Sequence, residues 1–458
     1  MNMTSTKKLN KITEKIRSWV ENGQIKKATD RFLELHPADQ AEVFNNLEDQ
    51  AQAQILDHLD IASTADLFDE LEDEETLEAA ENLSLERLAD VLDEMDPDEA
   101  ADLLGDLPPE QAEEALAQMD DPEDVIPLLG YPDETAGGRM TTAYIGLRPH
   151  TTAETAIQFL RDVSLENDVP YYLFVVDRNK ILVGVTGIRE LVVAHPKTTM
   201  DSIMDPDVIF ISADADQEEA ALLMTRYDLS ALPVVNDNNQ LMGVITHDDI
   251  LDVLEDEATE DIYRLANVSD TDLEPNSTVK DQMKGRLPWL LLNSLTSLIA
   301  AWVISNFGDL FIQVAVLAFF QSVVAGLGGS AASQDVVMVV RAIALGKINT
   351  DQAWSILFRQ LWVGFLQGAI IGMMVGLGVG MWQNNPFLGL VLGLSLVGNM
   401  IVAAMVGTLI PLLLKYLNQD PALASSVLVT AATDAIGFLI YLSLASIFLP
   451  YIQFYFSF

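Results

Sequence analysis

The chain has 458 residues, half of them hydrophobic with a mean hydropathy of +0.22, and carries 69 acidic against 25 basic residues, a formal charge of −44. From residue 287 onward there are five acids and four bases, so −43 of that charge falls on residues 1–286; this acidity excludes nucleic acid as a default partner and attracts cations. No cysteine is present, which excludes a disulfide framework, a thiolate metal site and thiol redox chemistry.

The opening segment, MNMTSTKKLNKITEKIRSWVENGQIKKA, has basic residues but no long apolar core after them. It does not read as a signal peptide, and the N-terminal half is expected in the cytoplasm. A repeat follows. Leu47, Leu59, Leu71, Leu83, Met95, Leu107 and Met119 lie twelve apart, with apolar pairs three and four places earlier, as in Val43/Phe44, Ile55/Leu56, Leu67/Phe68, Val91/Leu92 and Leu103/Leu104. A continuous helix does not keep a twelve-residue period on one face, whereas a short helix plus a turn does, so an α-solenoid is expected. Acids such as Asp96, Asp98, Glu99 and Asp102 fill its other faces, mostly as solvated surface.

A second repeat begins near Ala136. TTAYIGLRPHTTAETAIQFL (141–160) parallels DPDVIFISADADQEEAALLM (205–224), and YLFVVDRNKILVGVTGIREL (172–191) parallels ALPVVNDNNQLMGVITHDDI (231–250). Period-two apolar residues flanking Asn and Asp turns predict strand, turn, strand and helix in each copy. These residues resemble a pair of CBS domains, regulatory modules that hold adenine nucleotides. In the second copy Thr246 and Asp249 occupy the positions such modules use for phosphate and ribose, while the first copy has Gly187 and Glu190 there. The resemblance implies at most one good nucleotide site, for ATP.

Uncharged apolar runs predict five membrane spans, at 287–308, 310–326, 361–382, 387–414 and 422–448. Lys280, Lys284 and Arg286 precede the first; Arg341, Lys347 and Arg359 separate the second from the third; Lys415 separates the fourth from the fifth. This alternation predicts a cytoplasmic N-terminus and an outside C-terminus. Gly364, Gly368, Gly372, Gly376 and Gly380 form a ridge for close helix packing. GLGGSAASQD (326–335) lacks the Gly-Lys-Ser/Thr of a phosphate loop and reads as a bent or re-entrant helix end. All five histidines precede the membrane half, leaving no imidazole site for zinc or copper there.

Asp434 is the one charged side chain between Pro421 and Phe458. At a rise of about 1.5 Å per residue it lies near mid-membrane, where a carboxylate is costly. Thr430 and Ser426, four and eight residues earlier, give its helix a small polar face. Two readings stand: a contact on an ion path, or a protonated aspartate hydrogen-bonded within the bundle. No nucleophile, base or cofactor constellation supports an enzyme.

Taken together, LHPADQAEVF from Leu35, DPDEAADLLGDLP from Asp96, TAGGRMT from Thr135, EATEDIYRL from Glu257, GRLPWLL from Gly285 and DPALASS from Asp420 resemble the MgtE family of magnesium channels over nearly the whole chain. The resemblance implies a multi-domain integral membrane protein with an all-α solenoid (1–130), an α/β CBS pair (131–258), a connecting plug helix (259–286) and a five-helix transmembrane domain (287–458). It implies a homodimer in the cell membrane that imports Mg²⁺ and is closed by cytoplasmic Mg²⁺. Asp434 takes the place of the pore aspartate and Asp420 that of an acid at the cytoplasmic mouth, with Ser426 and Thr430 lining the pore. Sensor ligands are implied at Asp98, Asp102, Asp216, Glu218, Asp228, Asp249, Asp252, Glu257, Glu260 and Asp261. Mg²⁺ keeps several waters, so one or two carboxylates contacting a hydrated ion suit it. The chain departs from the family where a Gly-Gly-Asn-x-Gly-Asn-Gln run appears as Gly328 to Gln334 with Ser330 and Ser333 in place of both asparagines, and where an Asn-Pro pair is Ser426 and Val427. A carrier for Mn²⁺ or Co²⁺, and a non-conducting membrane-anchored Mg²⁺ sensor, therefore stand as alternatives.

Overall fold

Twelve-residue spacing appears directly as helix starts. The computed structural model describes residues 3–163, 172–269, 273, 275, 277–348, 353–423 and 425–456. After α1 (Met3–Glu21) and α2 (Ile25–Phe32) come α3 (Pro37–Asn45), α4 (Asp49–Leu56), α5 (Ile61–Phe68), α6 (Asp73–Ala80), α7 (Leu85–Leu92), α8 (Pro97–Asp106) and α9 (Pro109–Leu116). From α3 to α9 each begins twelve residues after the last. The apolar pairs read from the sequence are all buried, Ala79 and Ala80 supply the pair in α6, and the twelve-spaced Leu and Met positions are buried except half-buried Leu83. Asp60 and Ser84 cap their helices through Ser63 and Arg87 backbone N–H groups.

Next come β1 (Gly146–Leu147), α10 (Ala153–Val163), β2 (Tyr172–Val176), β3 (Leu182–Gly187) and α11 (Ile188–Val193), then β4 (Ile211–Ser212), α12 (Gln217–Tyr227), β5 (Ala231–Val235), β6 (Leu241–Thr246) and α13 (His247–Leu265). Each copy is a three-stranded sheet with one parallel and one antiparallel pairing. The likeness extends to detail. Bulges fall at Val175/Val176 and Val234/Val235, Asp177 and Asn236 side chains accept the following turn's N–H groups, and Lys180 and Asn239 take equivalent left-handed conformations. The TAGGRMT segment joins the second copy, with Ala136 and Gly137 N–H groups donating to Ala215 and Ala213 carbonyls. A single hydrophobic core runs from the solenoid into that copy.

The chain divides into two units, Met1–Leu254 and Glu255–Phe458, the division falling within α13. The second holds α14 (Val279–Ser305), α15 (Gly308–Gln313), α16 (Leu317–Ala344), α17 (Ala353–Trp382), α18 (Pro386–Tyr416), α19 (Ser425–Ile447) and α20 (Leu449–Phe456). Five of these, α14 and α16 to α19, are long and apolar enough to cross a membrane. α17 and α18 pack most extensively. A Cβ on Gly364, Gly368, Gly372 or Gly376 would fall 2.5–2.8 Å from α18 atoms, so the glycine ridge is the condition for that approach.

Three expectations need correction. GLGGSAASQD is not a helix end but lies inside the continuous α16, and the second span runs Leu317–Ala344. Local glycine cost is overridden by packing: Gly328 fits against the Asn399 side chain, and Gly407 of α18 approaches the Ala332 carbonyl so closely that a Cβ on it would lie 2.8 Å away. The connecting helix is not a separate element at 259–286, because α13 starts at His247, ends at Leu265, and residues 279–286 open α14. Ala424 of the DPALASS segment lies outside the described residues.

Candidate functional site

In the first unit, Asp98 enters from the first turn of α8 and Asp249 from that of α13. Burial, then the Asp249 charge, pushes the Asp98 carboxyl up to about 7, and burial raises Asp249 as well. Asp98 Oδ1 is buried without a hydrogen-bond partner among the described residues. Asp249 accepts hydrogen bonds from Thr246 N (3.1 Å) and Thr246 Oγ1 (2.6 Å), so the two proposed nucleotide contacts are preset against each other. Asp69, absent from the sequence reading, is raised to about 7 by burial and by Asp96, Asp66 and Asp98. Asp102 is half-buried on α8. The others are dispersed: Asp216 caps α12 through Glu218 N, Glu218 is in its first turn, Asp228 ends it in a left-handed conformation, and Asp252 is exposed on α13.

In the second unit, Glu257, Glu260 and Asp261 are half-buried on the last turns of α13. Arg264 is the organiser that sequence reasoning missed. Its guanidinium pairs with Glu260 one turn back and with Asp420 Oδ2 at 2.5 Å. Burial, then the Asp420 charge, raises the Asp261 carboxyl, and Arg341 opposes the shift. The signal was present: Arg264 is the basic residue in EATEDIYRL, four residues after Glu260. Asn267, in a left-handed conformation after α13, accepts a hydrogen bond on Oδ1 from Ser426 Oγ at 2.8 Å.

Ser426 and Thr430 line a cavity of about 720 Å³ with Tyr263, Asn267, Gln282 and Asn293. Asp434 is half-buried on α19, one turn beyond Thr430 and outside that lining. Among the described residues no three His, Asp or Glu side chains converge closely enough to hold a metal ion. The arrangement presents single and paired carboxylates, which suit a hydrated hard cation rather than a dehydrating cage.

Residues 321–444 match the family described as divalent cation transporter, residues 35–134 the MgtE intracellular N domain, and residues 200–256 the CBS domain. The chain is 37% identical to the magnesium transporter MgtE of Thermus thermophilus over 71% of its own length and 72% of that protein's. It is 36% identical to the magnesium transporter MgtE of Bacillus subtilis over 70% and 71% respectively. Among solved structures, the cytosolic domain of the Mg²⁺ channel MgtE in complex with ATP superposes with a TM-score of 0.50 at 32% identity, covering 53% of this chain and 99% of that one. With these identities over some seven-tenths of both lengths and five helices fit to cross a bilayer, the chain is a multi-pass membrane protein of the MgtE family.

Proposed function

We propose that this chain carries Mg²⁺ across the cell membrane, as the names of its relatives say of them. The observation that carries the reading is Asp434, a carboxylate inside a membrane-spanning helix whose preceding turns, at Thr430 and Ser426, open onto a cavity lined by both polar and apolar side chains. A hydrated Mg²⁺ enters past Asp420, keeps most of its waters, and exchanges hydrogen bonds with Ser426 and Thr430 before meeting Asp434. With the N-terminus cytoplasmic and the C-terminus outside, each 100 mV of inside-negative potential drives a divalent cation inward by about 4.6 kcal/mol.

A homodimer completes the path by setting two Asp434 side chains opposite each other. Gln334 of α16 and Gln367 of α17, both exposed, line one cavity with Gln360 and Arg359, a groove in membrane-spanning helices that a second copy would cover, since amides left facing lipid are costly. The divisions 1–130, 131–258 and 287–458 serve as the working map of domains, joined by residues 259–286, which carry the end of α13 and the start of α14. Gating follows from the carboxylates: Asp98 and Asp102 with Asp249 and Asp252, Asp216, Glu218 and Asp228 in the first unit, and Glu257, Glu260 and Asp261 with Asp420 in the second, repel until divalent ions neutralise them. Cytoplasmic Mg²⁺ then favours the closed state. ATP occupies the second CBS copy at Thr246 and Asp249, as a relative's solved complex encourages.

Flux of Mg²⁺, Mn²⁺ and Co²⁺ into proteoliposomes tests this. Parent protein should pass Mg²⁺ fastest, and Asp434→Ala should abolish that flux. Parent flux unchanged by Asp434→Ala defeats the pore assignment, equal rates for the three metals favour the broader divalent reading, and no flux for any ion leaves the sensor.

A further inference from the structure

Asn399 lies in the middle of α18, is 1% exposed, and meets two other membrane-spanning helices. Its Nδ2 donates to the Val324 carbonyl of α16 at 2.9 Å. Its Oδ1 is buried and accepts no hydrogen bond among the described residues. The amide fills a notch between two glycines. A Cβ on Gly328 of α16 would lie 2.1 Å from Nδ2, and a Cβ on Gly437 of α19 would lie 2.6 Å from Oδ1, distances at which no side chain fits. Gly437 is three residues beyond Asp434, about 4.5 Å along the helix and about 60° around it. The surface of α19 that seats Asn399 thus adjoins the surface that carries Asp434.

We infer that Asn399 is a positioning residue for the ion contact: its amide clamps α16 and α19 onto α18 and so sets the direction in which Asp434 points. The inference rests on the reading of Asp434 as that contact. If close packing alone were required, a leucine of similar volume would fill the notch and leave no acceptor unmet in a low-dielectric interior. The amide supplies what leucine lacks, a directional bond that fixes α18 against α16, while its oxygen seats α19 by the close fit of Gly437. Tyr441 adds a hydrogen bond from α19 itself, its hydroxyl donating to the Leu317 carbonyl of α16 at 3.0 Å. With both in place α19 is held at two levels, one of them a turn from Asp434.

The test uses full-length protein in proteoliposomes, with Asn399→Leu, Gly437→Ala, Gly329→Ala and Asp434→Ala beside the parent. Gly329→Ala is the control, since a Cβ there meets nothing within 4 Å. Asn399→Leu should melt in detergent no lower than the parent, yet move the Mg²⁺ concentration for half-maximal flux roughly fivefold or more and change the Mg²⁺ to Co²⁺ flux ratio, because small misplacements of a contacting group alter rates steeply. Gly437→Ala, which pushes on the amide from the other side, should shift the ratio likewise. Should Asn399→Leu not assemble, Gly437→Ala reads the clamp alone. Parent-like half-saturation and ratio in both variants overturn the inference. So does a uniform loss for all ions in proportion to lost folded protein. If Asp434→Ala is silent while Asn399→Leu is normal, only the clamp fails. If Asp434→Ala conducts like the parent, the ion contact fails and the clamp with it.

Discussion

Asp98→Asn is the sharpest probe of the acidic half. The Asp98 carboxyl stands at about 7 in the fold, against 3.8 for the free group, chiefly because it is buried and secondarily because Asp249 is near. A carboxyl raised by folding holds its proton in the native state after the unfolded chain has lost it. Stability is therefore greatest below pH 4 and falls as pH climbs to about 7, above which the full penalty applies. At about 1.4 kcal/mol per unit, roughly 4 kcal/mol separates the two limits, shared with Asp249, and going from pH 8 to pH 5 recovers about 3 kcal/mol. Hydrogen exchange across α8 in the full chain, corrected for intrinsic rates, should show slower opening by about two orders of magnitude at pH 5 than at pH 8. In Asp98→Asn a substantial part of that dependence should vanish, the remainder belonging to Asp69, which burial also raises to about 7, and to Asp249. Mg²⁺ at pH 8 should add protection in the parent, by replacing the missing proton, and little in the variant. Identical pH profiles for parent and variant would refute the reasoning.

Two further outcomes follow from contacts in the second unit. Arg264→Ala strips Asp420 of a partly buried partner, a pair worth about 1–2 kcal/mol; if that pair helps hold the closed state, Mg²⁺ leak under closing conditions should rise roughly 5- to 30-fold, with Asp420→Asn in the same background adding little, and an unchanged leak means that the pair does not hold it. Gly376→Ala drives a Cβ to 2.6 Å from the Gly389 carbonyl, whereas Gly378→Ala meets nothing within 4 Å. The first should cost about 1–3 kcal/mol and the second gain up to about 1 kcal/mol in a detergent melt, and equal melting of the two would show that the ridge does not set the helix approach.

What was legible in the sequence follows from what is periodic. Twelve-spaced Leu and Met positions predict a short helix plus a turn per repeat, and seven helices begin at that interval, because each must bury its own pair against its neighbours. The glycine ridge announced a close partner, and α18 is that partner. Singular features were less legible. The glycines at 326–329 look like helix breakers in isolation, and only the facing Asn399 and Gly407 show why the helix continues. Asn399 belongs to no period, and its meaning lies in two glycines about 70 and 38 residues away in the chain. Arg264 was hidden in a segment read for its acids, since one cation among carboxylates reveals its role only when Asp420 arrives beside it.

Arg264 also changes where cytoplasmic Mg²⁺ should act most strongly. At the mouth, Glu260, Asp261 and Asp420 are set against Arg264 and Arg341, so two guanidinium groups already offset much of the carboxylate charge there. A divalent cation entering there gains less unless it displaces a guanidinium, and breaking a partly buried pair offsets much of that gain. Around Asp98 the charged groups that shift it are Asp249 and Asp96, both acidic, and a divalent cation gains the relief of their repulsion, less the cost of displacing the protons that raised carboxyls hold near neutral pH. Asp98→Asn and Asp249→Asn should therefore move the Mg²⁺ concentration that halves flux further than Glu260→Gln or Asp261→Asn. Removing Arg264 should raise the sensitivity of the mouth, bringing the Glu260→Gln and Asp261→Asn shifts up toward those of the first unit. A larger effect at the mouth in the parent background would mean that Arg264 yields Asp420 readily and that the ion pair is not the element Mg²⁺ must overcome.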